Sequence, residues 1–390
     1  MDNKIKVGVI FGGNSVEHEV SIISAVQAMN KMDKTKYDII PIYITKDLKW
    51  YTGSQLKEIE IYQDFDLLKR YAKEVVLYKK DNLFVLQNKK QFFRKIITNL
   101  DIVFPIVHGA NVEDGTLIGF LDTIGIPYVG TGVLGSSIGQ DKVIQKLLYE
   151  KLDILTPKFV WFYEEEYDND QDKIKKEIKS LSYPLIIKPA TLGSSIGIKI
   201  VTKEEELDNA LKDIFKYDKK VLVEELLKGC KEVNISVLGN SSNFKLSQTE
   251  EVHGKDALLS FDDKYLRNSK KTGATKGMLS TFRKIPANIS KKEEELIKEY
   301  ASLIFKTFDL NGVVRFDFLL NKGKVYMNEV NIIPGSLAFY LWEDKYDFSN
   351  LLDYLISLGI KSYKIKQDKI TSFKSNILAN HAFGIKNKLK

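Results

Sequence analysis

The chain alternates short apolar runs with glycine-marked turns and amphipathic stretches. Residues 4–11 are too few and too continuously apolar for a surface helix, and they read as a buried strand. Gly12-Gly13-Asn14-Ser15 ends that run, and a helix starts near Val16. A strand, a glycine turn and a helix N-terminus form an anion-receptive site. The runs YDIIPIYIT and LDIVFPIVHG read as further strands, followed by a short helix over 117–124 and a strand entry at IGIPYVG. Strands alternating with helices predict an open parallel α/β sheet over roughly the first 135 residues. A helix over 141–152 leads into a second unit. There YPLIIKPA and SSIGIKIV read as hairpin strands, EEELDNALKDIF as an amphipathic helix, and KKVLVEELL as another strand, together a small α+β domain. A third unit from about residue 231 carries strands, a polar loop over 256–276 and a long helix over 291–308. It closes with the hairpin VVRFDFLL–NKGK–VYMNEVN and a helix over 349–358. The expected domains are 1–138, 139–230 and 231–361, with a basic tail, 362–390, that is mobile or loosely docked.

Composition narrows the function classes. At 390 residues the chain exceeds one ordinary domain, and its 44% hydrophobic content supports a substantial core. The net charge of +7 comes from lysines scattered among acids, which suits a soluble protein handling anionic ligands. No concentrated basic helix or RNA-binding signature is present, so nucleic acid is not the expected partner. The single cysteine, Cys230, excludes an intrachain disulfide framework and a cysteine metal cluster. There is no apolar leader and no run long enough to span a membrane, so the cytoplasm is the expected location.

Four constellations carry chemistry. Along the first strand of the closing hairpin, Arg315 and Asp317 share one face, and Val314, Phe316, Phe318 and Leu320 form the other. A three-residue loop, Lys322, Gly323 and Lys324, sets Asp317 opposite Glu329 and Arg315 opposite Asn331. Facing carboxylates repel unless a divalent cation sits between them, and Asp, Glu and Asn oxygens suit Mg²⁺. The other reading is a solvated polar sheet face. Lys188, followed by Pro189-Ala190-Thr191-Leu192-Gly193-Ser194-Ser195-Ile196-Gly197, is either a phosphate-closing loop or an ordinary turn. His108-Gly109 with Glu113-Asp114-Gly115-Thr116 lies at the C-terminal end of a strand, where open α/β sheets bind ligands, although Asp114 and Thr116 also suit a helix cap. Glu17, near the first helix N-terminus, is either a ligand group or a surface glutamate complementing the helix dipole. His18, His253 and His381 have no assignable partners.

In their order, GGNSVEHEVS, HGANVEDGT, GVLGSSIGQDK, KPATLGSSIG, VLVEELL, RFDF and NEVNIIPG resemble the D-alanine–D-alanine ligase family across nearly the whole chain. The resemblance implies an ATP-grasp fold, in which an N-terminal open parallel α/β domain precedes two α+β subdomains. It implies that Lys142, Lys188 and Ser195 contact the ATP phosphates, and that Glu224 and Glu232 hold the adenine-ribose end. Asp317, Glu329 and Asn331 would bind two Mg²⁺ ions, with Mn²⁺ as a substitute. Glu17 would take the ammonium of the first amino acid, in a network with Ser194 and Tyr265. Arg315 and the Gly335 amide would stabilise an oxyanion, His108 would sit near the first substrate, and Ser336 and Leu337 would hold the acceptor. The loop over 256–276 would close as a lid that supplies Lys264 and Tyr265. A homodimer is usual for the family.

Such a ligase converts a carboxylate to an acyl phosphate with ATP, and the amine of a second amino acid then attacks. It needs cations and oxyanion donors but no protein nucleophile. The expected product is D-Ala-D-Ala for peptidoglycan precursors. Two alternatives are a different acceptor, D-serine, D-lactate or another amino acid, and a nucleotide-binding regulator that has lost ligase activity. The chain departs from the family pattern at Val112, where a glycine is usual, and at Gly229-Cys230-Lys231-Glu232, which is one residue longer. It also departs after Gly335, where the family has several more residues before its Ser-Leu pair.

Overall fold

The computed structural model describes residues 4–89, 95–253 and 282–370. Its first sheet has seven strands, β1 (Ile5–Gly12), β2 (Tyr37–Ile44), β3 (Trp50–Thr52), β4 (Lys73–Lys80), β5 (Leu83–Asn88), β6 (Ile96–Leu100) and β7 (Ile102–Pro105). They lie in the order β6-β5-β4-β3-β2-β1-β7. Helices α1 (His18–Lys31), α2 (Phe65–Tyr71) and α3 (Thr116–Ile124) belong to the same region. The expected parallel arrangement holds where β1 pairs with β2 and β7, whereas every pairing from β2 to β6 is antiparallel. Parallel neighbours need a long crossover, which α1 provides between β1 and β2. Between β4 and β5 only Asp81 and Asn82 intervene, and a two-residue link closes only a hairpin.

Helices α4 (Val133–Gln140) and α5 (Lys142–Lys151) lead to the second sheet. Strands β8 (Phe159–Tyr163), β9 (Leu185–Pro189), β10 (Lys199–Val201) and β11 (Lys220–Glu225) form it in the antiparallel order β10-β9-β11-β8. Helices α6 (Glu164–Asn169), α7 (Gln171–Ile178) and α8 (Leu207–Ile214) cover it, burying Ile174, Ile178, Leu207 and Leu211 against Phe162, Leu185 and Val223. The third sheet is antiparallel throughout, with β12 (Lys231–Asn240), β13 (Asn243–His253), β14 (Phe282–Lys284), β15 (Asn311–Asn321) and β16 (Lys324–Asn331) in the order β14-β13-β12-β15-β16.

Helix α9 (Lys291–Thr307) covers the apolar face of the third sheet. Its start is written locally. The Ser290 hydroxyl accepts from the Glu293 N–H, and the Glu293 carboxylate accepts from the Ser290 N–H, which satisfies two otherwise orphaned donors. Ile297, Ala301, Ile304 and Phe305 recur at helical spacing and pack on Val314, Phe316 and Phe318. That leaves the opposite, polar face of the sheet for chemistry.

The ends of the chain share one core. Leu337, Ala338 and Trp342 join α10 (Phe348–Gln367) in packing on Val7, Val9 and Phe11 of β1 and Ala25 and Met29 of α1. Helix α10 outlasts the expected 349–358, so residues 362–367 of the expected tail are helical. Residues 371–390 lie outside those described. Among the described residues no helix is long and apolar enough to cross a membrane.

Candidate active site

The polar face of the third sheet is the floor of a cleft with about 1070 Å³ of empty space, part of it open to solvent. Strand pleating builds this floor, because directly paired residues share a face. One row runs Glu250, Asn234, Asp317, Glu329 across four strands. A flanking row holds Ser236, Arg315 and Asn331, and another holds Arg283, Val252 and Glu232.

The hairpin pairs Asp317 with Glu329 and Arg315 with Asn331 as expected, by a different route. Its turn has two residues, Lys322 and Gly323, both at positive φ, and it pairs Asn321 with Lys324. The extra residue enters at a bulge that leaves Asn328 between the paired positions 327 and 329. Arg315 donates from Nε and a terminal nitrogen to both oxygens of Asp317, each at 2.7 Å, and the Asn331 amide donates to the same carboxylate at 3.0 Å.

One wall comes from the start of the chain. His18 sits behind it, its ring nitrogens meeting the Gly13 carbonyl at 2.6 Å and the Tyr43 hydroxyl at 2.9 Å. This contact fixes the glycine turn and with it the entry of α1. Glu17, 7% exposed, turns its carboxylate to the Ser194 hydroxyl, which donates to it. Ser194 and Ser195 are left-handed, at φ 53° and 60°. A Cβ on Gly193 would lie 2.6 Å from the Glu17 carboxylate, so a larger residue there would displace that carboxylate.

Beside Glu17, the Glu113 carboxylate accepts from the Gly109 N–H at 2.8 Å and the Ile333 N–H at 3.2 Å. Burial, then the nearby Glu17 charge, pushes its carboxyl up to about 8. His108 meets the Ser24 hydroxyl at 3.1 Å, and burial, with Arg315 nearby, holds the imidazole down at about 4. It is therefore neutral at physiological pH.

The opposite wall is the β9–β10 loop with α5. Lys142 donates to the Leu192 carbonyl and Gln140 to the Thr191 carbonyl. Lys188 bridges Glu224 at 2.6 Å and donates to Asn328 at 3.4 Å. Glu224 is also paired with the buried Lys146. Burial would raise its carboxyl, but the two ammonium groups outweigh that and hold it at about 2.

At the far end, Gly335 opens a tight turn, Gly335–Leu341, in which Ser336, Leu337 and Ala338 are all left-handed. The Ser336 hydroxyl donates to Gln27 of α1 at 2.7 Å, and Leu337 lies in the shared core. This end of the cleft is lined by Arg283, Glu250 and Tyr340. Arg283 Nε lies 3.1 Å from Glu250, and its guanidinium carbon lies 4.0 Å from the Tyr340 ring centroid.

Family models described as the N-terminus and C-terminus of D-ala D-ala ligase match residues 6–131 and 148–357. The chain belongs to the D-alanine–D-alanine ligase family. A D-alanine–D-alanine ligase of Thermosipho melanesiensis is 38% identical over 380 residues, 96% of this chain and 98% of that one. The VanG D-Ala:D-Ser ligase of Enterococcus faecalis superposes with a TM-score of 0.74 at 33% identity, covering 92% of this chain and all of that one. The D-alanine–D-alanine ligase of Coxiella burnetii gives a TM-score of 0.77 at 27% identity, covering 93% and 96%. The fold is thus that of an ATP-grasp ligase, a family that uses ATP and divalent metal ions.

The cleft gathers Glu17, His108, Lys142, Ser194, Glu232, Arg315, Glu329, Asn331 and Gly335, and its continuation adds Lys188, Ser195 and Asp317. Glu224, Ser336 and Leu337 are not among the residues that line it. Glu224, expected at the adenine-ribose end, is buried between Lys146 and Lys188, which supply the ion partners its charge requires. The Ser336 hydroxyl donates to Gln27 of α1, and Leu337 packs in the core shared with α1. Lys264, Tyr265 and the expected lid lie outside the described residues. Sequence reading missed Asn234, Glu250 and Arg283. The alternation through Glu232, Asn234 and Ser236 carried a signal for the first, whereas Arg283 had no motif.

The residues present fit a divalent cation. Asp317, Glu329 and Asn331 offer hard oxygen donors, and Mg²⁺ takes the rest of its shell from water and phosphate. Among the described residues no three acidic, histidine or cysteine groups converge as a complete metal cage.

Proposed function

We propose that this chain joins D-alanine to D-alanine with the hydrolysis of ATP to ADP and phosphate, making a peptidoglycan precursor. The observation that carries this reading is the meeting, in one cleft, of the Glu17–Ser194 pair with Lys142 and the Arg315, Asp317, Glu329, Asn331 face. Glu17 takes the ammonium of the donor amino acid, and a charge-assisted contact at a buried carboxylate fixes its orientation. Lys142, Lys188 and the loop at Ser195 hold the phosphates, with Glu224 keeping Lys188 in place and Glu232 at the ribose end. Asp317, Glu329 and Asn331 would hold two Mg²⁺ ions, which would supply positive charge against the transferring phosphoryl group.

The donor carboxylate oxygen attacks the γ-phosphorus, ADP leaves, and the acceptor amine then adds to the acyl phosphate. Arg315 and the Gly335 N–H stabilise the oxyanion of the tetrahedral intermediate until phosphate departs. His108, neutral and buried, contributes hydrogen bonds rather than charge near the donor.

The protein acts as a homodimer in the cytoplasm; a monomer mass in sedimentation would refute the dimer. The chemistry is tested by phosphate release from ATP across single and paired D- and L-amino acids. Release should require a D-amino acid and rise most with D-alanine. Release that ignores amino acids would instead support a nucleotide-binding regulator. The remade segment after Gly335 favours one second reading, the same reaction with D-serine or D-lactate as acceptor.

A further inference from the structure

Ile333 packs against three apolar clusters at once, so it stands where the first sheet, the third sheet and the core shared by the chain ends meet. Its backbone is held from the segment that follows β7. The Ile333 N–H donates to Oε1 of Glu113 at 3.2 Å, and the His108 ring hydrogen-bonds the same backbone. Oε2 of Glu113 accepts from the Gly109 N–H at 2.8 Å, while the Glu113 N–H donates to the Gly109 carbonyl at 2.9 Å. The side chain is therefore fixed at its own loop before it reaches across to residue 333. One N–H on each oxygen suits a carboxyl group. An amide has a single acceptor oxygen and would turn its own N–H groups toward the second donor.

Gly335, which lines the cleft, comes two residues later. The residue between, Pro334, has φ at −67°, and its ring allows little departure from that value. The clasp at residue 333 is thus passed on to Gly335 through a stiff link. Beyond Gly335, the Ser336 N–H donates to the Ser24 hydroxyl at 3.3 Å, and that hydroxyl meets His108 at 3.1 Å. Backbone groups tied to the N-terminal unit therefore bracket Gly335.

We propose that Glu113 is a positioning residue for the second half of the reaction: by clasping Gly109 and Ile333 it sets the Gly335 N–H against the oxyanion. This rests on the ligase reading above, in which that N–H meets the tetrahedral intermediate. Glu113 acts through the backbone. ATP and the donor ammonium are held by other groups, so its loss shows in turnover rather than in affinity.

The test uses the full chain with ATP, Mg²⁺ and D-alanine. Glu113→Gln should lower the kcat for dipeptide about tenfold or more, because a displacement of under about 1 Å is enough to do so. The KM values for ATP and donor should stay within about twofold of wild type. Scrambling of the β–γ bridge oxygen of isotope-labelled ATP, which reports acyl phosphate formation and its reversal, should be no slower than in wild type. Glu113→Asp, which keeps both oxygens on a shorter arm, should fall between. Pro334→Ala, which loosens the link to Gly335, should also lower kcat, and its loss combined with Glu113→Gln should be smaller than the product of the two separate losses. Should Glu113→Gln not fold, Glu113→Asp and Pro334→Ala carry the same test. Equal losses in scrambling and in dipeptide, or a donor KM raised as far as kcat is lowered, would make Glu113 part of the donor pocket or of the fold and overturn the assignment. A Glu113→Gln kcat within about twofold of wild type would overturn it as well. If the wild-type protein forms no dipeptide, the ligase reading falls, and Glu113 with it. Wild-type ligation with an unaffected Glu113→Gln sinks only the proposal for Glu113.

Discussion

The two ends of the cleft are built from the same sheet face but by different means. Along the closing hairpin and the loop after β9, motif residues line the cleft, and each is fixed by local structure. Arg315, Asp317, Glu329 and Asn331 are set by strand pairing, and Ser194 by a left-handed loop whose Gly193 lies against the Glu17 carboxylate. After Gly335 the motif is present in sequence, but Ser336 and Leu337 are not among the residues that line the cleft. Ser336 follows Gly335 without a spacer; its hydroxyl is buried and donates to Gln27 of α1, and Leu337 and Ala338 pack in the core shared with α1. Pairing register tolerates sequence change as long as alternation is kept. A loop residue, by contrast, reaches its target only if the chain length allows. Motifs on strands therefore transfer between relatives more safely than motifs on connections.

The largest contrast should come from the metal face. Glu329→Gln should fold normally yet lower kcat more than tenfold, a loss above about 1.4 kcal/mol. A well-folded variant that keeps more than about a tenth of the rate would remove the hairpin from the chemistry.

The next effect is on stability, through Glu113, which stitches the wall of the donor end to residue 333. Its carboxyl lies at about 8 in the fold against an ordinary value of 4.5. Between those pH values the unfolded chain has released the proton while the folded chain keeps it, so stability falls as pH rises through the window. Glu113→Gln should flatten this dependence, so that between pH 5 and pH 8 the wild type loses on the order of 2–4 kcal/mol more stability than the variant. Parallel melting curves across pH 5–8 would show that Glu113 does not titrate there.

Glu17→Gln should weaken donor use by about 1.5–3 kcal/mol and leave ATP affinity unchanged. Comparable weakening of both, measured by initial rates with each substrate varied, would make Glu17 a structural residue of the helix start. The smallest effect belongs to Ser336→Ala. Removing its bond to Gln27 should cost about 1 kcal/mol of stability and change the acceptor KM less than about twofold. A large rise in acceptor KM would return Ser336 to the site and erase the contrast between the two ends.

The legibility of the sequence follows the same division. The apolar and polar faces of β15, the capping of α9 and the pairing of Asp317 with Glu329 could all be read from alternation and caps. The last was obtained with a three-residue turn, and the protein reaches it with two residues and a bulge at Asn328, since a turn and a bulge can exchange one residue without moving the next pair. The hairpin of β4 and β5 was not anticipated, although Asp81 and Asn82 are turn formers between alternating apolar residues. Glu224 and Arg283 were beyond reach for another reason. Their surroundings come from distant elements, α5 and β9 for the first and the turn after Gly335 for the second, and no local pattern encodes such a meeting.

One measurement bears most directly on the whole reading: mass analysis of what the protein makes from ATP, Mg²⁺ and an equal mixture of D-alanine and D-serine. It should release one dipeptide for each phosphate, always with D-alanine as the donor and with the acceptor reporting the remade end of the cleft. Phosphate release without dipeptide, or no dependence on D-amino acids at all, would contradict it.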